Sequence, residues 1–222
     1  MLSDMRLRRL ESNVITYNTA ISACDKAAQW RHAPGIFSEM SLRCVEPTVV
    51  TYNAAISAYG NCAQWQEVLG MLSDMRQRRI EASLITYNVA IIALEGQAQW
   101  GEALGMMSEV RRRRLEPDAY TYNAAIRSCQ SCAQWHEAMG LYSDMLSCRL
   151  EPDGVIFNAA VSACESGNHV KEALDMLGDM LVRSLEPTMM IYSAAISACE
   201  KRAQWHDALG VMSDLWQRRM EP

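Results

Sequence analysis

Apolar residues along this chain fall on two alternating helical stripes, and the whole pattern returns every 35 residues. Val14, Tyr17, Ala20, Ile21 and Cys24 stand at i, i+3, i+6, i+7 and i+10, one face of an α-helix. Trp30, Ala33, Phe37 and Met40 make a second stripe. The stretch Lys26 to Gln29 between them is short enough to join two antiparallel helices. Glu46-Pro47 then closes the unit, because the residue before a proline is pushed out of helical geometry. Each unit therefore predicts one helical hairpin.

The period can be followed in single columns. Tyr17-Asn18, Tyr52-Asn53, Tyr87-Asn88, Tyr122-Asn123, Phe157-Asn158 and Tyr192-Ser193 are in step. Ala-Gln-Trp ends at Trp30, Trp65, Trp100, Trp135 and Trp205. No single hairpin can bury its own apolar face, so neighbours must stack. The expected fold is all-α, an α-solenoid of stacked helix-turn-helix hairpins forming a superhelical repeat array. Its units would span 14–48, 49–83, 84–118, 119–153, 154–188 and 189–222, the last lacking its final residue. Residues 1–13 match the back half of a unit, a second helix only, so both ends look cut from a longer array without dedicated caps.

Local departures carry further expectations. Pro34 stands where the other units have Leu69, Leu104, Met139, Leu174 and Leu209, and should delay or kink its helix. Gly35, Gly70, Gly105, Gly140 and Gly210 recur mid-helix, at a cost of about 1 kcal/mol each against Ala. Close approach of a neighbouring helix is one reason such a cost would be tolerated. Each periodic Trp leads an apolar stripe, which favours packing over stacking on a ligand, and Val170 replaces it in the fifth unit. Trp216 is off the period and reads as a surface residue.

Composition narrows the chemistry. Half the residues are apolar with only two Phe, and no window resembles a membrane span. The net charge of −5 gives no polybasic tail. Cys24, Cys129, Cys164 and Cys199 share one slot of the first stripe and read as small buried hydrophobes in a reducing compartment. Cys129 and Cys132 form a lone C-x-x-C without the second pair a structural zinc needs. His32, His136, His169 and His206 cluster near second-helix starts, and no nucleophile triad or phosphate-cradling Gly loop accompanies them. The sequence predicts no enzyme, cofactor or metal site. It shows no signal peptide and no Arg/Ser-rich transit segment.

Hairpins of this length, opening Val-Ile-Thr-Tyr-Asn and closing Glu-Pro-Asp or Glu-Pro-Thr, resemble the pentatricopeptide repeat family. The Ala-Gln-Trp segment departs from the Gly-containing turn usual there; only Gly167-Asn168 looks ordinary. The resemblance implies sequence-specific binding of single-stranded RNA at about one base per repeat. It assigns base reading to the residue after the Tyr together with the last residue of the unit. The pairs would be Asn18 with Thr48, Asn53 with Ser83, Asn88 with Asp118, Asn123 with Asp153 and Asn158 with Thr188, while Ser193 stands without a partner. Asn with Asp would favour uracil and Asn with Ser or Thr pyrimidines in general, since a carboxamide both donates and accepts. Ile15, Val50, Ile85, Tyr120, Val155 and Met190 would clamp the bases, and Lys26 and Lys201 would meet phosphate. Organelle residence, in chloroplast or mitochondrion, and a role in RNA processing, stability or translation follow from the resemblance alone. DNA is not an expected partner.

Two observations pull the other way. The Asn column could be structural, capping or bonding locally near a helix start. The expected binding face also lacks a basic stripe: Lys26, Arg127 and Lys201 stand against Asp25, Glu95, Glu165 and Glu200. The basic clusters Arg78-Arg79, Arg111 to Arg114 and Arg218-Arg219 end second helices, where they complement the helix dipole and face away from the groove. A helical scaffold that binds a basic peptide or protein is therefore the alternative.

Overall fold

The computed structural model describes residues 13–27, 29–95 and 99–217, with the side chain of Trp30 excluded. The half-unit expected over residues 1–13 (Asn13 aside), the packing of Trp30, Gly96 and the Arg218-Arg219 pair lie outside the described residues. The chain divides into two compact units. The first comprises residues 1–97 and 105–116, the second 98–104 and 117–222.

In the first unit α1 (Val14–Lys26) pairs with α2 (Ala33–Leu42) and α3 (Val49–Gly60) with α4 (Trp65–Gln77). Next come α5 (Leu84–Leu94) and α6 (Trp100–Arg112), whose first turn, 100–104, belongs with the second unit. The second unit holds α7 (Ala119–Gln130), α8 (Trp135–Ser147), α9 (Gly154–Ser166), α10 (Val170–Val182), α11 (Met189–Lys201) and α12 (Trp205–Gln217). The described residues contain no strand, and the expected all-α class of stacked helical hairpins is what forms. No described helix is long and apolar enough to cross a membrane. Odd-numbered helices stack on one another, α1 on α3 on α5 and, in the second unit, α7 on α9 on α11. The even-numbered helices α4, α8 and α10 pack on their own partner and on the odd helix of the next hairpin.

The aromatic that precedes each Asn is buried at the centre of this packing. In α3, α7 and α11 its hydroxyl finds a partner on the second helix of the same hairpin, whereas the buried Tyr17 Oη has none among the described residues. Tyr52 Oη donates to Asp74 Oδ2 at 2.5 Å and Tyr192 Oη to Asp214 Oδ2 at 2.5 Å. Burial, reinforced by Asp74, pushes the Tyr52 phenol well above its ordinary pKa. The fifth unit has Phe157 here and so lacks the hydroxyl; Tyr142 of the preceding second helix donates to Asp179 instead.

Both turns of the repeat close in the same way. A residue in the left-handed region is followed by an N–H that reaches back five residues, the Schellman arrangement. Inside the hairpins Ala63, Ala133, Asn168 and Ala203 have φ between 54° and 61°, and Gln64 N–H donates to Tyr59 O at 2.9 Å. Between hairpins Cys44, Arg79, Arg114, Arg149 and Ser184 take this conformation, and Ile80 N–H donates to Met75 O at 2.8 Å. Asn tolerates it; Ala pays about 1–2 kcal/mol for the close Cβ–carbonyl approach.

Pro34 acts as expected. Trp30–His32 form a 3₁₀ turn, and α2 begins at Ala33 with ten residues where α4, α8 and α10 have thirteen. The expectation for the recurrent mid-helix glycines is overturned. A Cβ built on Gly35, Gly70, Gly105, Gly140 or Gly210 meets nothing within 4 Å, so no neighbouring helix requires them. The close approach occurs elsewhere: a Cβ on Gly60 would lie 2.2 Å from Ala93 Cβ and 2.8 Å from Ala93 Cα. Of the aligned cysteines, Cys129, Cys164 and Cys199 are buried, whereas Cys24 is only half-buried. Burial first, then nearby carboxylates, pushes the Cys129 and Cys164 thiols up to about 12, far from a reactive thiolate. Trp65, Trp100 and Trp135 are half-buried, Val170 is buried, and Trp205 and Trp216 are exposed. Trp135 packs across the next turn, stacked on His169 at 3.6 Å between ring centroids, where a Cβ on Gly167 would meet its ring at 2.7 Å.

Candidate nucleic-acid interface

The start of each odd helix is built by its flanking polar residues. Thr48, Ser83, Asp118, Asp153 and Thr188, the last residues of their units, are the N-caps of α3, α5, α7, α9 and α11. Asn13 does the same for α1, accepting from Thr16 N–H at 3.0 Å. In α3, α5 and α7, where Thr follows at the third helical position, the cap is reciprocal. The hydroxyls of Thr51, Thr86 and Thr121 accept from the N–H of Thr48, Ser83 and Asp118 at 3.0, 3.2 and 3.3 Å. Asp118 Oδ1 takes Thr121 N–H at 2.8 Å and Thr121 Oγ1 at 2.7 Å. In α9 Ile156 replaces the Thr, and Asp153 Oδ1 accepts directly from Val155 and Ile156 N–H, both at 3.0 Å. No bond to Oδ2 of Asp118 or Asp153 occurs among the described residues, and both side chains are exposed.

One turn into each odd helix the next polar residue behaves differently. The Oδ1 atoms of Asn18, Asn53, Asn88, Asn123 and Asn158 are all out of contact with water, and none has a hydrogen-bond partner. The structural account of this column, a cap or local bond, therefore fails for that oxygen: capping belongs to the preceding unit's last residue. Leaving a buried acceptor unmade costs about 1–3 kcal/mol, and five such atoms in register call for an explanation. Ser193, at the sixth place, is exposed.

Beside this column runs an apolar one that faces solvent. Ile15, Val50 and Ile85 in the first unit are 72%, 62% and 64% exposed; Tyr120, Val155 and Met190 in the second are 58%, 51% and 67%. Because odd helices stack in register, each unit presents its three members as a row next to its Asn or Ser residues. Exposed large apolar side chains repeated at one helical position mark a contact surface rather than a core.

The charges near the far end of these helices are mostly spent on structure. Asp25 accepts from Ser57 Oγ at 3.0 Å and from Asn61 Nδ2, tying α1 to the next hairpin. Glu165 repeats this for α9 and α11, accepting from Ser197 Oγ at 2.7 Å. Lys201, one of the two lysines expected at phosphate, stands 3.3 Å from the same Glu165 oxygen. Lys26 is exposed at the end of α1. Among the described residues no group of three or more His, Cys, Asp or Glu could hold a metal ion.

Family models agree with this architecture. The model of the pentatricopeptide repeat domain matches residues 1–62 and 105–166, the PPR repeat family model 47–96, and the PPR repeat model 155–185. The chain belongs to the pentatricopeptide repeat family. Over 97% of its length it is similar to the maize pentatricopeptide repeat protein PPR10, at 22% identity and a TM-score of 0.73, covering 31% of that protein. PPR10 in complex with an 18-nt psaJ RNA element gives 24% identity and a TM-score of 0.66, with 96% of this chain and 30% of that one covered. The PPR domain of Arabidopsis thaliana protein-only RNase P 1, in complex with tRNA, gives 11% identity and a TM-score of 0.64, covering 75% and 88%. A comparison with curated proteins gives no match. The chain thus spans about a third of the length of PPR10.

Sequence reasoning missed the capping role of the unit-final residues. The signal was present, since Ser, Thr or Asp before a helix and Thr three places on is an N-terminal signature. It also missed the pairing of Lys201 with Glu165, which joins residues 36 apart and becomes visible only when helices stack.

Proposed function

We propose that this chain binds single-stranded RNA at about one base per hairpin, with a preference for pyrimidines. The observation that carries this is the register of five Asn side chains beside a row of solvent-exposed apolar side chains. The Asn carboxamide offers a donor as well as an acceptor to a pyrimidine edge, while the flanking apolar side chains offer faces against which bases stack. Asp118 and Asp153, each with one carboxylate oxygen unused by its cap, favour uracil at their repeats by accepting from its N–H. Thr48, Ser83 and Thr188 leave the choice between pyrimidines looser, and Ser193 leans to a purine. Phosphate contributes little at this face, since Lys201 is engaged by Glu165, so its affinity is modest and only weakly salt-dependent. The setting is organelle RNA processing, stability or translation, in chloroplast or mitochondrion.

The test is low-salt binding of fluorescent six- to ten-base RNAs: a pyrimidine-rich sequence with U-U at its third and fourth bases, one with purines there, and the matching DNA. The parent should prefer U-U, and Asn88→Ser with Asn123→Ser should lose or shift that preference. Equal or absent binding across the panel by folded protein overturns the proposal. The exposed carboxylates of Asp118 and Asp153 would then point to a basic peptide partner, and basic peptides become the next probe.

A further inference from the structure

The exposed ends of the second helices differ sharply in charge along the chain. From Asp74 to Glu81 and from Glu109 to Glu116, both in the first unit, seven arginines face four acids. At the same register elsewhere, 39–46 in the first unit and 144–151 and 179–186 in the second, three arginines face six acids, and at 214–221 two face two. The helices end alike in both units, with the same left-handed residue and the same five-residue return bond. Helix termination therefore does not require the arginines, and Leu181 and Val182 end α10 as well as Arg111 and Arg112 end α6. Arg76, Arg78, Arg79 and Arg111–Arg114 are all exposed. Asp74 holds Arg78, and Glu109 holds Arg112 and Arg113. Arg79 and Arg114 occupy the left-handed position, φ 58° and 57°, which Gly or Asn would fill with less strain. Arg76 and Arg113 both lie near enough to Tyr87, the neighbour of Asn88, to oppose the upward shift that burial gives its phenol. Both stretches lie on the first unit, and each comes shortly before the next odd helix in the chain.

We propose that this arginine edge is a second RNA-contacting surface, one that takes backbone phosphate without regard to sequence. The inference rests on the RNA-binding reading above. Guanidinium groups suit the role, being permanently charged and able to grip phosphate through two N–H donors at once. It gives a base-reading face that is poor in cations an electrostatic partner on the same unit.

The test compares parent protein with Arg76→Gln/Arg79→Gln/Arg114→Gln, leaving the ion-paired arginines in place, and with the corresponding triple Lys variant. Binding of a 20-nt oligouridine and a 20-nt mixed RNA is measured from low to moderate salt, with urea midpoints checked for equal folding. The Gln variant should lose about tenfold on both RNAs. Its plot of log affinity against log salt should flatten by about 0.7 per lost phosphate contact, with the U preference intact. The Lys variant should keep most of the affinity. Unchanged affinity and slope alongside an intact U preference would sink the arginine edge and leave base reading standing. Loss of the U preference with the flattened slope would also overturn it, since the edge would then be reading bases. Absence of RNA binding by the parent, with oligoglutamate bound instead, would overturn both ideas in favour of an acidic protein partner.

Discussion

The odd and even helices of one repeat are built to different standards. In the first unit α3 buries six of its twelve residues, whereas its partner α4 buries two of thirteen. Odd helices are pressed between neighbours, with small residues such as Ala90 and Ala93 at the contacts and Gly60 beneath Ala93. Even helices keep a face in water, and their recurrent glycines touch nothing. The same residue type is thus indispensable in one layer and dispensable in the other. The crowded layer also carries the unpartnered amides and the exposed apolar row, so precision of packing and the proposed contact surface coincide there.

The strongest way to break this contrast is Gly60→Ala. A methyl 2.8 Å from a backbone Cα forces α3 and α5 apart, and destabilisation of about 3 kcal/mol is expected from overpacking, read as a lower urea midpoint. An unchanged midpoint would show that the odd layer gives more readily than its spacing implies. Tyr142→Phe comes next. It removes a hydrogen bond to the Asp179 carboxylate and should cost about 2 kcal/mol. Adding Phe157→Tyr should recover much of the loss, because it restores the arrangement of Tyr52 with Asp74; no recovery would mean that the two layers cannot exchange this bond. In the even layer the sign reverses: Gly70→Ala and Gly140→Ala should each stabilise by about 1 kcal/mol, and a loss at either would reveal a contact on the water face.

A smaller gain, about 0.5 kcal/mol, is expected from Ala63→Gly or Ala133→Gly, where relief of left-handed strain outweighs the entropy Gly adds to the unfolded chain. Asn168→Gly should be nearly neutral. The smallest effect concerns pH. Hydrogen bonds from Arg113 and then Arg112 hold the Glu109 carboxyl below its ordinary pKa. Its contribution is therefore present above the ordinary carboxylate range and lost as pH falls through the lowered value. Removing both arginines as Gln should shrink the difference between urea midpoints at pH 7 and pH 3, by less than about 1 kcal/mol for pairs this exposed.

Hairpins, period and the late start of α2 at Pro34 were legible in the sequence because each depends on residues close along the chain. The glycines were not. Gly60 sits in a column otherwise filled by Asp25, Glu95, Gln130, Glu165 and Glu200, with no pattern to mark it, and its reason is a helix 33 residues away. Gly70 and its fellows form a column broken only by Asp175, which suggested contact where there is none. The left-handed alanines were equally hidden, since Ala is the best helix former and nothing local announces strain; only the aligned Asn168 hinted at it. For the candidate site, the columns could be read from the period, but the missing partner of each Asn Oδ1 is a property of the folded surroundings.

The unit-final caps carry a consequence for how such an array could change its target. On the proposed reading, Thr48, Ser83, Asp118, Asp153 and Thr188 each begin a helix and help choose a base. Only Ser, Thr, Asp, Asn and Gly begin helices well. Mutation can therefore rewrite the recognised sequence only through a short vocabulary. A letter outside it loosens the fold before it alters the message, so drift in specificity is channelled by the grammar of helix initiation.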